Sequence, residues 1–312
     1  MIIAVSMNPS VDKTLYVKDF RVGYLNRIES VTYAPGGKGI NVANDLASFT
    51  GEVLISGFIG TSNELILYKC IDDLKDRGVK ADFVSIDDRN RTNVKIIEDS
   101  GRLTEINEPG FCVPEDKVKE LFEKLMSYAG EDNVFLLTGS VPKGVSKDFY
   151  RLLTLKLKEL GSKVYVDADG ELFKNAIESV PTAIKPNESE LLEYFGDTSV
   201  SEKHLINRAK ELVDKGIETV IVSRGQKGSL FVKKDSVYRC NAPVIKGIRS
   251  AVGAGDAMFA TYAYCDTSGI DYMQNIRLTV ASAAATVSLD TPYFTESDVL
   301  DKYVDAVTIE EL

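Results

Sequence analysis

The sequence has a single histidine, no tryptophan and only four cysteines in 312 residues. The histidine, His204, lies in an amphipathic helical pattern, where a surface or half-buried position is the common one. A Ser-His-Asp triad, a multi-histidine zinc site and a mechanism with two catalytic histidines are therefore poorly supported. We expect chemistry at neutral pH to use aspartate, glutamate, lysine or backbone groups.

The cysteines are far apart, and no two of them form a C-x-x-C pair. They are Cys70, Cys112, Cys240 and Cys265. This spacing is typical of reduced cysteines in a cytoplasmic protein. A run of 18 apolar residues and a basic leader ahead of the first apolar stretch are also missing. We therefore expect neither a membrane span nor a signal peptide.

A basic excess is absent as well, because 37 lysines and arginines stand against 47 acidic residues and the net charge is −10. Nucleic-acid binders carry a basic footprint, so we do not expect nucleic acid as a partner. An anionic substrate would have to be held by a few local cations, because the negative net charge of the protein repels it. The 44% hydrophobic share and the chain length suit a globular protein that needs no disulfide or metal for stability.

Short apolar runs alternate with helical patterns along the chain. The runs predict strands at 1–6, 53–60, 134–140, 163–169, 182–187 and 219–225. The helical patterns cover 63–78, 114–129, 146–161 and 201–216. Such alternation indicates βαβ units and a parallel sheet with helices on both faces. Gly78, Gly161 and Gly216 each follow a helical pattern, as glycines that end helices do.

Two stretches depart from this alternation. Residues 13–34 are interpreted as two strands around Gly23, and residues 91–108 as a hairpin with Ser100-Gly101 at its turn. Neither stretch has a helix beside it. We expect the two strand pairs to form a small separate sheet, one face of which is left to cover a cleft or a second subunit.

The stretch SAVGAGDAMFA, residues 250–260, places two glycines around an alanine, with a carboxylate at the start of a helical pattern. Gly253 and Gly255 allow backbone amides to converge, and amides at a helix N-terminus form an anion site. Asp256 would lie beside that anion and could take a proton from an attacking hydroxyl. The alternative is an acidic helix-start residue that the helix dipole favours.

A second glycine-rich loop, APGGKGINVA at 34–43, leads into another helix. It is not a Walker A loop, because Gly39 follows Lys38 where serine or threonine is required, and GxGxxG fails here. Lys38 and Asn41 are about one helical turn apart, so they would face one spot. A lysine with an amide suits a polyhydroxylated or phosphorylated ligand. The simpler interpretation is a glycine turn into the helix.

Three further polar clusters follow predicted strands. Asn187 and Glu190 lie at i and i+3 of a helix start, where they could hold a hydrated cation or form a capping box. SRGQKGSL at 223–230 could cradle a phosphate or form a plain hairpin. MNPSVD at 7–12 places Asp12 at the carboxyl end of a parallel strand, where open α/β sheets bind ligands.

Two arginines, Arg27 and Arg91, fall within the inserted strands. A surface arginine without a ligand is the usual case. Two arginines on one flap are better explained as phosphate clamps, because guanidinium groups bind phosphate oxygens in pairs.

Taken together, these segments resemble the PfkB-type carbohydrate kinases, the ribokinase-like family. Six motifs carry the resemblance over nearly the whole chain, in the order NPSVD, GGKGINVA, LTGSVPKG, KPNESEL, SRGQKG and VGAGDA. The resemblance implies a ribokinase-like three-layer α/β/α fold, with a mostly parallel central sheet in a single domain over 1–312. Strands at about 13–34 and 91–108 would form a small β-sheet lid, which in the family often also makes the dimer contact. A homodimer is therefore implied.

Within the family, NRIESV, RTNVKI and TEINEPG are similar to the branch that phosphorylates ketohexose monophosphates, above all 1-phosphofructokinases. The implied reaction uses ATP and Mg²⁺ to convert fructose 1-phosphate to fructose 1,6-bisphosphate. Tagatose-6-phosphate kinases share much of this pattern and are the first alternative. A non-catalytic sugar-phosphate-binding regulator on the same fold is the second, motivated by departures from the family pattern at 251–262 and 289–294.

The resemblance also implies roles for individual residues. The catalytic set would be the general base Asp256 and an anion hole of Gly253, Ala254 and Gly255. The sugar phosphate would be held by Asp12, Arg27, Gly37, Lys38, Asn41, Arg91 and Ser140. The nucleotide would contact Lys185, Asn187, Ser223, Gly225, Gly228 and Gly255. Mg²⁺ would be organised, through water or phosphate, by Asn187 and Glu190.

Overall fold

The structure, a computed structural model, describes residues 1–62, 65–199, 201–245 and 247–312. Residues 63 and 64, with which the predicted helix 63–78 begins, lie outside the described residues. The strands are β1 (Ile2–Ser6), β2 (Ser10–Val17), β3 (Ser30–Gly36), β4 (Val53–Gly60), β5 (Lys80–Ile86), β6 (Arg91–Glu98), β7 (Leu103–Asn107), β8 (Val134–Thr138), β9 (Lys163–Asp167), β10 (Ala183–Ile184), β11 (Thr219–Ser223), β12 (Ser229–Val232), β13 (Val237–Asn241) and β14 (Thr308–Glu311). The helices are α1 (Lys38–Leu46), α2 (Leu65–Asp76), α3 (Glu115–Ser127), α4 (Phe149–Glu159), α5 (Gly170–Ile177), α6 (Glu188–Phe195), α7 (Glu202–Asp214), α8 (Ala254–Thr267), α9 (Tyr272–Val287) and α10 (Asp301–Val304), with 3₁₀ turns at Gly225–Lys227 and Ser297–Leu300.

The large sheet has ten strands in the order β14-β13-β12-β11-β10-β9-β8-β1-β4-β5. The strands from β11 to β5 pair in parallel, whereas β12, β13 and β14 extend the sheet in antiparallel pairs. β1, β4 and β8 are buried along their whole length, as strands covered on both faces must be. The predicted mostly parallel sheet is confirmed.

Alternate residues of β1 enter two separate apolar cores. Ile3 and Val5 pack with residues of α3 to α7 on one face, and Ile2 and Ala4 pack with residues of α1, α2, α8 and α9 on the other. Side chains alternate along a strand, so one apolar strand supplies both cores. The result is the predicted three-layer α/β/α arrangement.

The predicted elements of this sheet are present, some with shorter bounds. Gly78, Gly161 and Gly216 have φ of 88°, 87° and 112°, as glycines that end helices should. The strand predicted at 182–187 is reduced to the two residues of β10. It ends there because Pro186 has no N–H to donate, and the next residue caps α6.

The small sheet has four strands in the order β3-β2-β6-β7, with β2 and β6 parallel and the outer pairs antiparallel. The turn at Ser100-Gly101 is where the sequence predicts it, and Gly101 has φ of 80°. The two strands predicted around Gly23 are present as β2 and β3, which pair antiparallel, and residues 18–29 between them form a longer loop than predicted. The Asn26 side chain holds this loop, since its Oδ1 accepts from the backbone N–H of Arg21 at 2.9 Å.

The environments of the cysteines and of the single histidine agree with those expected from the sequence. The four cysteines are free, and three of them are buried. His204 is half-buried on α7, with Nε2 at 2.8 Å from Asp197 Oδ2. Within the described ranges, no helix has the length and apolar character needed to cross a bilayer.

Candidate active site

The start of α8 is fixed by close packing. Gly253 precedes the helix with φ of 86°, a left-handed conformation that favours glycine. A Cβ at this position would lie 1.8 Å from the carbonyl oxygen of Pro292. The first N–H groups of a helix have no intrahelical acceptor. In α8 the N–H of Ala257 donates to Gly253 O at 2.8 Å and begins the intrahelical hydrogen bonds. The amides ahead of it are therefore available to a ligand.

Asp256 is the third residue of α8 and is 6% exposed. The Asn41 side chain, from α1, donates to Asp256 Oδ2 at 2.8 Å. Burial raises the pKa of Asp256 to about 6, although the positive charge of Lys38 lowers it in part. This carboxyl group is mostly ionised at neutral pH and is a stronger base than an exposed aspartate.

A buried carboxylate at the end of β9 holds two lysines. Asp167 is 1% exposed, and its two oxygens lie 3.2 Å from Lys38 Nζ and 3.2 Å from Lys185 Nζ. Burial raises the pKa of Asp167, but the two lysines outweigh that effect and lower it. Burial likewise lowers the pKa of Lys38, yet nearby carboxylates, Asp167 first, raise it above its usual value. Asp167 and Lys38 are therefore both charged at neutral pH.

Asp12, on β2, enters the site from the small sheet. Its Oδ2 accepts from Lys95 Nζ at 2.7 Å, and its Oδ1 accepts from Ser10 Oγ at 2.8 Å and from Asn93 Nδ2 at 3.2 Å. A Cβ at Gly36 would lie 2.3 Å from Asp12 Oδ1, so glycine at this position lets β3 pass close to the carboxylate.

Asn187 and Glu190 form the capping box of α6. The N–H of Glu190 donates to Asn187 Oδ1 at 2.9 Å, and the N–H of Asn187 donates to Glu190 Oε2 at 2.8 Å. The capping interpretation is thus confirmed. Burial raises the pKa of Glu190, which points to a partly desolvated carboxylate. Ser223, at the end of β11, lies against this corner through a parallel bridge to Asn187.

These groups line one cleft of about 340 Å³ to which both sheets contribute. The predicted site residues in its wall are Asp12, Gly37, Lys38, Asn41, Arg91, Lys185, Asn187, Glu190, Ser223, Gly253, Gly255 and Asp256. The wall also contains Asn93, Lys95, Glu105, Asn107, Asp167 and Val252, which were not predicted. Strand periodicity could have found Asn93 and Lys95, because they follow Arg91 at steps of two.

Five predicted residues lie outside that wall: Arg27, Ser140, Gly225, Gly228 and Ala254. Ser140 lines a neighbouring cavity that shares Arg91 with the cleft. Arg27 is exposed in the 18–29 loop, and Ala254 is the first residue of α8.

The loop after Ser223 joins two paired strands. Gly225 and Gly228 lie in the connection from β11 to the antiparallel β12, so the hairpin interpretation of that stretch is confirmed. A Cβ at Gly228 would lie 1.8 Å from Cys240 O, which explains the glycine by packing alone.

A family model described as pfkB family carbohydrate kinase matches residues 5–296. The chain belongs to this family. Among curated relatives, 1-phosphofructokinase of Bacillus subtilis is 34% identical over 288 residues, 92% of each chain. 1-Phosphofructokinase of Borreliella burgdorferi is 32% identical over 288 residues, which cover 92% of this chain and 91% of that protein.

Solved structures agree with the pfkB assignment. A putative phosphofructokinase from Staphylococcus aureus has a TM-score of 0.82 at 31% identity, covering 100% of this chain and 99% of that one. Ribokinase from Thermotoga maritima, at 20% identity, has a TM-score of 0.77 over 97% of this chain and 99% of that one, which shows the fold alone. The predicted family and fold class are confirmed.

Proposed function

We propose that this pfkB-family protein transfers the γ-phosphoryl group of ATP to a hydroxyl of a ketohexose monophosphate. Fructose 1-phosphate is the proposed substrate and fructose 1,6-bisphosphate the product. The observation that carries the proposal is the position of Asp256, buried beside the open amides of α8 in a cleft with Lys38, Lys185 and Arg91. The relatives named 1-phosphofructokinase support the choice of sugar.

In the proposed reaction, the Asp256 carboxylate accepts the proton of the attacking hydroxyl as that oxygen approaches phosphorus in line. Asn41 orients the carboxylate through its hydrogen bond to Oδ2. The amides around Gly255 and the dipole of α8 stabilise negative charge on the transferred group. The phosphoryl group passes directly to the sugar, so no histidine is needed as a covalent carrier.

The sugar phosphate is proposed to bind on the side of the small sheet. Asp12, Lys38 and Asn41 can receive and donate hydrogen bonds to its hydroxyls. Arg91 lies at the junction between the cleft and the cavity that holds Ser140, so a phosphate at that junction would meet both side chains. The small sheet would then act as a lid that keeps water from the phosphoryl group.

The charges of the cleft support a role for Mg²⁺ with the nucleotide. Four cations line the wall, Lys38, Arg91, Lys95 and Lys185. Five carboxylates line it too, Asp12, Glu105, Asp167, Glu190 and Asp256. A triphosphate therefore needs further positive charge to bind here. When bound, Mg²⁺ would neutralise the phosphate oxygens.

The residues present fit that ion. Glu190 uses Oε2 in the capping box, and its other oxygen remains for a hydrated cation. No group of three or more acidic, cysteine or histidine side chains able to cage a metal is found in the described residues. Mg²⁺ commonly binds through one or two carboxylates together with substrate phosphates, so a caged site is not required.

We further propose that the outer face of the small sheet pairs with a second copy of the chain. Asp12, Asn93 and Lys95 face the cleft, and side chains alternate along strands. The opposite face bears the cross-strand row Tyr33, Lys13, Val94 and Ile106, in which Tyr33 and Ile106 are 53% and 57% exposed. Exposed apolar side chains on one face favour self-association.

Sedimentation velocity tests this pairing. Ile106→Glu should lower the fraction of dimer at a given concentration, because it replaces an exposed apolar side chain of this face with a charge. Leu152→Glu, at an exposed leucine on α4, is the matched control and should leave the dimer intact. A monomeric wild type would refute the pairing.

Coupled ADP release tests the proposed activity. Purified protein with ATP and Mg²⁺ is assayed against fructose 1-phosphate, tagatose 6-phosphate and fructose 6-phosphate, and we expect the highest kcat/KM with fructose 1-phosphate. Preference for tagatose 6-phosphate would move the protein to the alternative kinase activity. Binding of a sugar phosphate without ADP release from any of the three would favour the regulator.

A further inference from the structure

Arg224 joins three elements beside the cleft. It follows Ser223 in the connection from β11 to β12, and its side chain is 8% exposed. Its Nε donates to Glu188 Oε1 at 2.9 Å, and its Nη1 donates to Glu202. A single guanidinium thus connects this loop to the first turns of α6 and α7. Arginine suits this place, because its planar fork can serve two carboxylates at once.

Glu188 attaches the loop a second time. Lys227 Nζ, at the far end of the 3₁₀ turn, lies 3.3 Å from Glu188 Oε2. Partial burial raises the pKa of Glu188, but hydrogen bonds from Arg224 and Lys227 lower it below its usual value. The carboxylate therefore stays ionised, and both ends of the loop are held by the same acidic side chain.

The attachment points adjoin the residues proposed to meet the nucleotide. Glu188 lies next to Asn187 and two residues before Glu190, and both of those line the cleft. Ser223, the neighbour of Arg224, also lines the cleft, and its backbone N–H donates to Pro186 O at 3.0 Å. The backbone joins the two walls through this hydrogen bond and the Asn187–Ser223 bridge, and the side-chain bridge adds a further attachment that limits how far they can move apart.

We propose that Arg224 is a positioning residue for the nucleotide. By holding Glu188 and Glu202 together, it sets the 223–228 loop against the first turn of α6 and keeps the two parts of the nucleotide site in register. The inference rests on the proposed function, because it takes this corner of the cleft as the ATP side. Arg224 acts through neighbours on the proposed ATP side. Its loss should therefore weaken the binding of ATP more than the binding of the sugar phosphate.

The test compares Arg224→Met with Arg239→Met. Arg239, on β13, donates to the same Glu202 at 2.9 Å, but it belongs neither to the loop nor to α6. Arg224→Met should raise the ATP Kd from calorimetry, and the KM for ATP, by about tenfold, the range for coupled contacts in one network. The KM for the sugar phosphate should stay within about twofold of wild type, the error of additivity for distant sites. Arg239→Met should leave both ligands unaffected.

An equal rise of the ATP Kd in the two variants would overturn the proposal. A parallel rise of the KM values for ATP and for the sugar phosphate in Arg224→Met would overturn it too. Should Arg224→Met fail to fold, Arg224→Lys and Glu202→Gln take its place, and unchanged ATP affinity in both overturns it. A wild-type protein that binds no ATP would instead refute the proposed kinase activity. The two failures are therefore distinguishable.

Discussion

The two sheets contribute to one cleft but hold their side chains in different ways. On the large-sheet side, β1 and β4 are wholly buried, and Asp256 and Asp167 sit in a wall built on two apolar cores. On the small-sheet side, four of the five residues of β7 are exposed, and Asp12 is held by hydrogen bonds and an ion pair with Lys95. In the first arrangement polar contacts are added to a wall fixed by apolar packing, whereas the second depends mainly on polar contacts.

This difference suggests a division of labour. Groups that take part in the chemical step benefit from fixed positions in an environment that excludes water, because electrostatic interactions are strong there. Groups that recognise the substrate can sit on a sheet that closes over it. Substitution of Asp256 on the large-sheet side should therefore lower kcat, and substitution of a substrate-binding group on the small sheet should raise the KM for the sugar phosphate.

The largest effect is expected from Asp256→Asn. The amide cannot accept the proton, so kcat should fall by roughly 10²–10⁴, the usual contribution of a general base. Calorimetry should show ATP and sugar phosphate still binding, since asparagine has nearly the same shape. Near-normal turnover in this variant would remove Asp256 from the mechanism. It would also contradict the assignment of the chemical step to the large-sheet side.

Two glycine substitutions, one on each side, compare how the two regions contribute to the free energy of unfolding. Gly253→Ala adds a Cβ 1.8 Å from Pro292 O at positive φ, and should cost about 3 kcal/mol or more of unfolding free energy. Gly101→Ala, in the β6–β7 turn, has a similar φ of 80° but nothing within 4 Å. It should cost about 1 kcal/mol from backbone strain alone. Denaturant unfolding measures both, and equal losses would contradict the contrast in packing.

The small-sheet counterpart of Asp256 is Arg91. Arg91→Ala removes the charged hydrogen-bond donor that we propose for the substrate phosphate and should raise the KM for the sugar phosphate by roughly 10- to 100-fold. Its kcat should change much less, if the contact is equal in the ground and transition states. A large loss of kcat with unchanged KM would show that the small sheet takes part in the chemical step.

The smallest expected effect is a pH dependence. With the pKa of Asp256 raised to about 6, the carboxylate is the active form, so kcat/KM should be full above this pH and decline as pH falls through it. One pH unit below the midpoint, about a tenth of the activity should remain. Arg91→Ala should keep the same acid limb. An acid limb near pH 4 would mean that Asp256 is not desolvated as the structure places it.

Much of the fold follows from local patterns, and the elements that were missed show the limit of such patterns. α9 was not predicted, because its run of small residues packs between α8 and α10 and lacks a clear amphipathic period. β5 was missed because this edge strand is only partly buried and mixes polar with apolar residues. Both depend on neighbours that are distant in the chain.

The candidate site shows the same limit. Glycine loops and polar strand ends identified Asp256, Lys38 and Asn187, because backbone conformation and helix capping are local. Asp167 was missed, although it lies within the strand predicted at 163–169, since its importance comes from two lysines that different elements bring to it.

The amino-acid order alone determined the alternation of strands and helices, the open amides before α8 and the polar groups at strand ends, because these depend on residues a few positions apart. Only the tertiary structure decided that Asn41 meets Asp256, 215 residues away, and that Lys38 meets Asp167, 129 residues away. It also decided the raised pKa of Asp256, because that value depends on burial and on charges from remote segments.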